Sequence, residues 1–228
     1  MSLLEAQNLC WGVPSAVKAG DSLIFRDINF RVEAGTWVTL SGPSGVGKTT
    51  VLSLCAGLLK PVSGWVKLFG QDIGQLSDYE LGQLRARRLG LIFQNYHLDD
   101  SRTALENIML PGYFSDLNWH GLRERALELA EKLFLTDHLS KSVSVLSGGQ
   151  RQRVAVGRAL LVSPELVLAD EPTGALDQKT ADSVLDILSD YVKEGASVLS
   201  VTHDQQVLQR GSVHLNLSEG RIEEVGKR

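Results

Sequence analysis

The eight residues Gly42-Pro43-Ser44-Gly45-Val46-Gly47-Lys48-Thr49 constrain this chain more than any other part of it. They follow the apolar run Trp37-Val38-Thr39-Leu40 directly. Glycine is costly inside regular structure, so a cluster of glycines at the end of a strand marks a backbone wrapped closely around something. The pattern G-x-x-x-x-G-K-[ST] is a phosphate-binding loop, whose amide N–H groups cradle phosphate oxygens. On that reading Gly42 to Gly47 form the cradle and Lys48 reaches the β- and γ-phosphates. Thr49 offers a hydroxyl to Mg²⁺, with Thr50 beside it at the helix start. The plain alternative is a glycine-rich turn between a strand and an unrelated helix.

Around the loop the chain alternates. Leu3 to Leu9, Leu23 to Val32 and Trp37 to Leu40 read as short strands. Lys48 to Leu58 reads as an apolar helix, broken by Pro61 and Gly64. Trp65 to Phe69 and Leu89 to Phe93 are further strands. From 99 to 145 no strand is expected. Thr103 to Leu110 predicts a brief helix, and His120 to Phe134 a longer one with Leu122, Leu129 and Leu133 on its packed face. Arg151 to Leu161 is helical, Leu166 to Ala169 a strand, Thr180 to Val192 an amphipathic helix and Ser197 to Val201 a strand. Val213 to Leu217 and Arg221 to Val225 predict a terminal hairpin. This order favours an α/β fold whose mostly parallel sheet is covered on both faces. The helical block, about 95–160, reads as an insertion within one domain spanning 1–228.

A phosphate loop that hydrolyses needs a metal-holding carboxylate and a group that positions water. Leu166-Val167-Leu168-Ala169-Asp170-Glu171 supplies both at a strand end. Asp170 is the candidate for Mg²⁺ and Glu171 for the attacking water, although an acidic pair before Pro172 is also ordinary loop composition. His203 follows the strand ending at Val201, and Gln94 follows the strand ending near Phe93. Ligands of parallel sheets collect beyond the carboxyl ends of strands, so Lys48, Glu171 and His203 can share one site. Gln94 would join the metal shell through its carbonyl. A histidine capping a helix that starts at Asp204, and a glutamine in a polar loop, are the structural alternatives. His97, His120, His138 and His214 show no paired spacing and read as surface or supporting residues. Leu146-Ser147-Gly148-Gly149-Gln150 precedes a strong helical segment with Ser147 as its cap. The exposed amides there make a second anion site, one that can serve a neighbouring chain's nucleotide.

Composition limits the partners. With 228 residues and a net charge of -4, the chain lacks the basic footprint of a nucleic-acid binder, so no nucleic-acid partner is expected. Arg85-Ala86-Arg87-Arg88 reads as a helix end or solvated face. Cys10 and Cys55 have no metal-ligand spacing, and a reducing compartment is the simpler inference. No apolar run approaches the roughly 18 to 20 residues that span a bilayer, and no signal-peptide pattern opens the chain. A membrane role must then come through a partner.

Taken together, Gly42 to Thr49, Gln94, Leu146 to Gln150, Leu166 to Glu171, Ala175-Leu176-Asp177 and His203 resemble the ATP-binding cassette ATPase of ABC transporters. In order they match its Walker A loop, Q-loop, signature, Walker B with catalytic glutamate, D-loop and switch histidine. The resemblance implies a P-loop NTPase core with an N-terminal antiparallel β region and an inserted helical subdomain. It implies ATP and Mg²⁺ as ligands, with Lys48, Gln94, Glu171 and His203 catalytic. Thr49, Gln94 and Asp170 would hold the metal. Gly42 to Thr50, Ser147 to Gln150 and Asp177 would contact nucleotide, with Trp11 as the aromatic stacked on adenine. Ala16 to Ser22 separate Trp11 from the next strand.

Three further stretches, 89–98, 103–111 and 169–177, look like the branch of lipoprotein-release (LolD-like), macrolide-exporter (MacB-like) and cell-division (FtsE-like) ATPases. The chain departs from that branch at Leu98-Asp99-Asp100, Val145, Gly157 and Ala175. The first two departures fall where such ATPases meet their membrane partner or transmit nucleotide state. The implied function is an ATPase that powers a separate integral-membrane permease through ATP-dependent homodimerisation, peripheral to the cytoplasmic face of the inner or plasma membrane. Lipoprotein, peptide or drug export or release is the expected type, and an extracytoplasmic adaptor would be reached through the permease. The alternative is an ATPase regulating a cell-wall or cell-division complex without translocation. Chromosome-maintenance ATPases share these motifs but need a long coiled coil between Gln94 and Ser147. Translation-linked relatives carry two cassettes and a basic surface. A generic P-loop kinase or GTPase leaves Leu146 to Gln150 and His203 unexplained.

Overall fold

A computed structural model describes residues 1–12, 23–115 and 118–227. The stretch Ala16 to Ser22 lies outside the described residues. Two sheets organise the chain. The first is antiparallel, in the order β2 (Phe25–Glu33), β1 (Ser2–Trp11), β4 (Ser63–Leu68), β5 (Gln71–Asp72). The second runs β10 (Arg221–Lys227), β9 (Val213–Ser218), β3 (Trp37–Ser41), β8 (Ser197–Val201), β7 (Leu166–Asp170), β6 (Leu89–Ile92). It is parallel from β9 to β6, and β10 folds back antiparallel as the expected hairpin.

Both β7 and β8 are buried at every position, as continuous apolar strands covered on two faces should be. One apolar core fills the space between the antiparallel sheet, α1 (Lys48–Cys55) and one face of the parallel sheet. The other face is covered by α5 (Gly148–Leu160) and α6 (Gln178–Lys193), whose core runs on into α3 (Ala104–Met109) and α4 (Trp119–Lys132). Among the described residues from 95 to 160 the only β contact is an isolated bridge between Thr103 and Ser142.

Register fixes the functional edge. Leu40 pairs with Val201, Asp170 with Val201 and Ile92 with Ala169. The carboxyl ends of β3, β8, β7 and β6 are therefore level, and the four segments that follow them emerge side by side.

Several elements differ from the sequence expectation. Helix α1 stops at Cys55 rather than Leu58, because Gly57 takes φ +64 and ends the turn. Helix α5 begins three residues before Arg151, at Gly148, where Ser147 and Gln150 form a reciprocal capping box. Helix α2 (Asp78–Arg88) contains the arginine cluster as its last turn, the end that favours positive charge. A short helix α7 (Gln205–Arg210) follows β8. Both cysteines are free and buried, and burial pushes the Cys55 thiol up to about 12.

Candidate functional site

Strand β3 delivers the phosphate loop to the shared edge, and the loop's glycines are required by its shape. Gly42 has φ +146, and a Cβ there would lie 2.2 Å from the carbonyl oxygen of Leu217 on β9. Gly47 is the N-cap of α1 with φ 105, which a side chain resists. The start of α1 also stands apart from the other long helices. Helices α2, α4, α5 and α6 each carry a side-chain cap, whereas α1 has none and no acid in its first turn. Its first amides, those of Lys48, Thr49 and Thr50, are left to an anion. Ser44 and Gly45 form the exposed tip, and Val46 packs back against the core. The Lys48 ammonium donates to the carbonyls of Gly42 and Pro43, both at 2.9 Å, which holds it inside the loop.

Opposite this helix start lies Asp170, 2 % exposed at the end of β7. Thr49 Oγ1 donates to its Oδ2 at 2.7 Å. Burial, chiefly, raises the Asp170 carboxyl above its ordinary range, and the neighbouring Glu171 charge adds to this; the Thr49 bond and the Lys48 charge oppose it. A hydroxyl and a carboxylate in contact are hard oxygen donors of the kind Mg²⁺ takes, with phosphates and water completing its shell. Among the described residues no cluster of three His, Cys, Asp or Glu could hold a metal on protein ligands alone. The pair therefore fits a phosphate-bound Mg²⁺ and not a protein cage.

Glu171 continues the same strand into a turn with φ 49, a left-handed conformation that costs a non-glycine residue about 1–2 kcal/mol. Its amide donates to Val201 O at 2.9 Å, which binds the turn to β8. Thr202 Oγ1 donates to Glu171 Oε2 at 3.0 Å, and His203 Nδ1 lies 2.7 Å from Oε1. With the carboxylate ionised, Nδ1 is the donor and Nε2 is left for a ligand. The helix that follows is capped by Asp204, which accepts from Gln206 N at 2.9 Å, so capping is not the task of His203. Gln94 lines an open cleft of about 680 Å³ together with Glu171 and His203.

Other expected residues stand apart from this cluster. Ser147 Oγ accepts from Gln150 N at 3.3 Å, and Gln150 Oε1 accepts from Ser147 N at 2.9 Å. This box occupies two of the helix's free amides and leaves those of Gly148 and Gly149. Within its own chain this terminus meets Tyr96, His138 and Ala175, not the phosphate loop. Asp177 caps α6 through Thr180, and that hydrogen bonding holds its carboxyl below the ordinary range. Trp11 stacks on Phe25 at 6.2 Å between ring centroids, and Phe25 borders Gly47, so Trp11 stands one ring away from the loop.

Three side chains join the site's elements without having been singled out in the sequence. Gln152 bonds the turn after Glu171, Thr202 holds the Glu171 carboxylate, and Arg158 donates to Tyr96 O at 2.6 Å and His97 O at 2.5 Å. Tyr96 and His97 are consecutive left-handed residues, φ 59 and 48, so Arg158 holds a strained loop beside Gln94. Asp100, within one of the departures, pairs with Arg151 at 2.5 Å. No local sequence pattern marks Gln152, which reaches the site through the rotation of α5.

Comparison with known proteins identifies the family and the fold. The family profile described as "ABC transporter" matches residues 25–174. An ABC transporter ATP-binding protein of Thermotoga maritima is 38 % identical over 203 residues, covering 89 % of this chain and 87 % of that protein. The macrolide export ATP-binding/permease protein MacB of Bartonella henselae is 39 % identical over 206 residues, 90 % of this chain but 31 % of that protein. Among solved structures, a dimeric bacterial ABC transporter cassette matches with TM-score 0.90 and 34 % identity, over 99 % of this chain and 100 % of that one. A dimeric cassette in a post-hydrolysis state bound to ADP and phosphate matches with TM-score 0.89 and 33 % identity, with the same coverage.

Proposed function

The chain belongs to the ABC transporter family and is an ATPase of the P-loop fold, and on that premise we propose that it drives a separate membrane permease through ATP-dependent dimerisation. Residues 1–228 then form one nucleotide-binding domain, with 95–160 as its helical subdomain. The observation that carries this reading is the pair of contacts on one sheet edge: Thr49 with Asp170 at 2.7 Å, and His203 with Glu171 at 2.7 Å. One pair suits a metal and the other suits a water.

Bound Mg·ATP supplies the phosphoanhydride bond and the metal charge that offsets its oxygens. The chain supplies the rest. Backbone N–H groups of Gly42 to Thr50, Pro43 excepted, would orient the phosphates, and Lys48, released from its loop carbonyls, would neutralise charge on the β- and γ-positions. Thr49, Asp170 and the Gln94 carbonyl would hold the metal. Glu171 takes the proton of the attacking water, a role usually contributing about 10²–10⁴-fold. His203 steadies that carboxylate through Nδ1–H and accepts from the water through Nε2; donation to the γ-phosphate would require Nε2 to carry a proton as well. Asp177, while capping α6, lies near the partner's nucleotide, and Trp11 stacks on adenine.

No helix among the described residues is long and apolar enough to cross a membrane. The proposed location is therefore peripheral, at the cytoplasmic face of the membrane, on the permease. The permease would meet the loop after Gln94, next to an apolar cleft of about 540 Å³ lined by Leu91, Phe93, His97 and Pro111. In the MacB relative an ATP-binding region and a permease share one chain by name, which supports pairing with such a partner and an export-type substrate.

Glu171→Gln tests the reading. It removes water activation and leaves Asp170 for the metal. Light scattering at micromolar protein should show the variant's mass doubling when Mg·ATP is added, and returning on its removal. A variant that stays monomeric with saturating ATP overturns ATP-dependent dimerisation.

A further inference from the structure

Gln152 is a fully enclosed polar side chain on α5, 1 % exposed. Its Nε2 donates to Pro172 O at 3.0 Å and lies 3.4 Å from Glu171 O. A buried carboxamide is costly unless its hydrogen bonds are made, so these contacts fix the seating of α5 against the turn after β7. That turn holds Glu171 in its left-handed conformation. The preceding peptide is held by Glu171 N on Val201 O at 2.9 Å, and Gly174 N reaches Glu171 O at 3.2 Å. The backbone of Glu171 is thus pinned from β8 on one side and from α5 on the other.

We propose that Gln152 is a positioning residue for Glu171, linking the helix that begins at Ser147 to the backbone that aims the water-activating carboxylate. It deepens the functional reading above and rests on it. In a dimer with shared sites, Ser147 to Gln150 serve the partner's nucleotide, while Glu171 of the same chain serves its own. Helix α5 spans both, with Gln152 a little over one turn from Ser147. A shift of α5 on meeting the partner's nucleotide is passed to Glu171 as a rotation of its left-handed peptide. Gly149 lies close to the same segment, where an added Cβ would come 3.0 Å from Ala175 O. Only the Gln152 bonds are directional.

The test uses the full chain with Mg·ATP. Gln152→Met keeps the length and volume of the side chain and deletes the donor. Gln152→Asn keeps an amide and draws the donor back by one methylene. Both should lower kcat by about 10- to 100-fold, the scale of a mispositioned catalytic group, with ATP Kd changed by less than about twofold. A purely structural residue would move the melting temperature and nucleotide binding together. The second readout is single-turnover hydrolysis on a Glu171→Gln background, where adding Gln152→Met should cost nothing more because the carboxylate it aims is gone. A native kcat in either folded variant, or a loss that multiplies in full on the Glu171→Gln background, overturns the proposal. If Glu171→Gln alone hydrolyses like the native chain, it is the role of Glu171 that fails, a distinguishable result.

Discussion

At the scale of single residues, Asp170 carries the cost of a charge taken out of water. Its pKa is raised, mainly by burial and further by Glu171, so folding disfavours its ionised form. The sign follows from linkage. Below the ordinary carboxylate range the group is protonated folded or unfolded and costs nothing. As pH rises through that range and then through the raised value, the unfolded chain ionises more readily and stability falls. Asp170→Asn keeps an oxygen for the Thr49 hydroxyl and removes the charge. Without Mg²⁺ or nucleotide, the variant should melt higher than the native chain at neutral pH, and the gap should close toward pH about 4. Each kcal/mol relieved corresponds to about 2–4 °C in a chain of this size. Hydrolysis should be lost at every pH, because Asn cannot replace the metal-holding charge. Calorimetric melts across that range check this, and a gap independent of pH removes burial as its cause.

Among the elements, helix starts separate function from plain stability. Helices α2 and α5 open with the same device, a serine and a side chain three residues on that return each other's hydrogen bonds: Ser77 with Glu80, and Ser147 with Gln150. Losing such a cap costs about 1 kcal/mol in either place. Ser77→Ala should therefore lower the melting temperature and leave ATP hydrolysis unchanged. Ser147→Ala should lower it by a similar amount and also slow hydrolysis, since it loosens the terminus whose Gly148 and Gly149 amides are kept open. Thermal melts beside steady-state hydrolysis compare the two, and equal activity in both variants removes any role for the α5 terminus.

The same helices show where the sequence was legible. Strands β3, β7 and β8 were readable because each is a short apolar run buried on both faces, and their level ends placed Lys48, Asp170, Glu171 and His203 together. Helix α2 was not, beyond its arginines, because it buries only Leu81 and Leu84 and shows no apolar stripe. Its signal was the capping box. Gln152 and Thr202 escaped for another reason: they reach Glu171 or its turn from 19 and 31 residues away, through register and helix rotation that no local pattern displays.

For the molecule as a whole, the two helix starts with open amides pose a geometric problem. Uncapped α1 faces the Asp170 carboxylate, whereas at the start of α5 Gly148 lies near Tyr96, Gly149 near Ala175 and Leu176, and Gln150 meets His138. A helix terminus favours negative charge, and glycines there admit a phosphate without a β-carbon in the way. A head-to-tail dimer would resolve this by placing each α5 terminus over the partner's phosphate loop, giving the two composite sites that the proposed function requires. Lys48→Ala disables the loop, and Ser147→Arg fills the other half with a bulky cation. Either variant alone forms a homodimer with two defective sites. Mixed, they form a dimer with one site damaged twice and one intact, the loop of the Ser147→Arg chain facing the terminus of the Lys48→Ala chain. Hydrolysis should therefore recover in part on mixing, to about half the native rate per mixed dimer and about a quarter over a randomly paired equimolar mixture, if the sites act independently. The mixing is best done at saturating ATP, with mixed dimers verified by a size tag on one chain. Crosslinking from a nucleotide analogue held at Lys48 should label the partner's segment around Ser147 and not its own. Recovery with labelling of the partner establishes the shared site, whereas labelling confined to the same chain overturns it whatever the rates show.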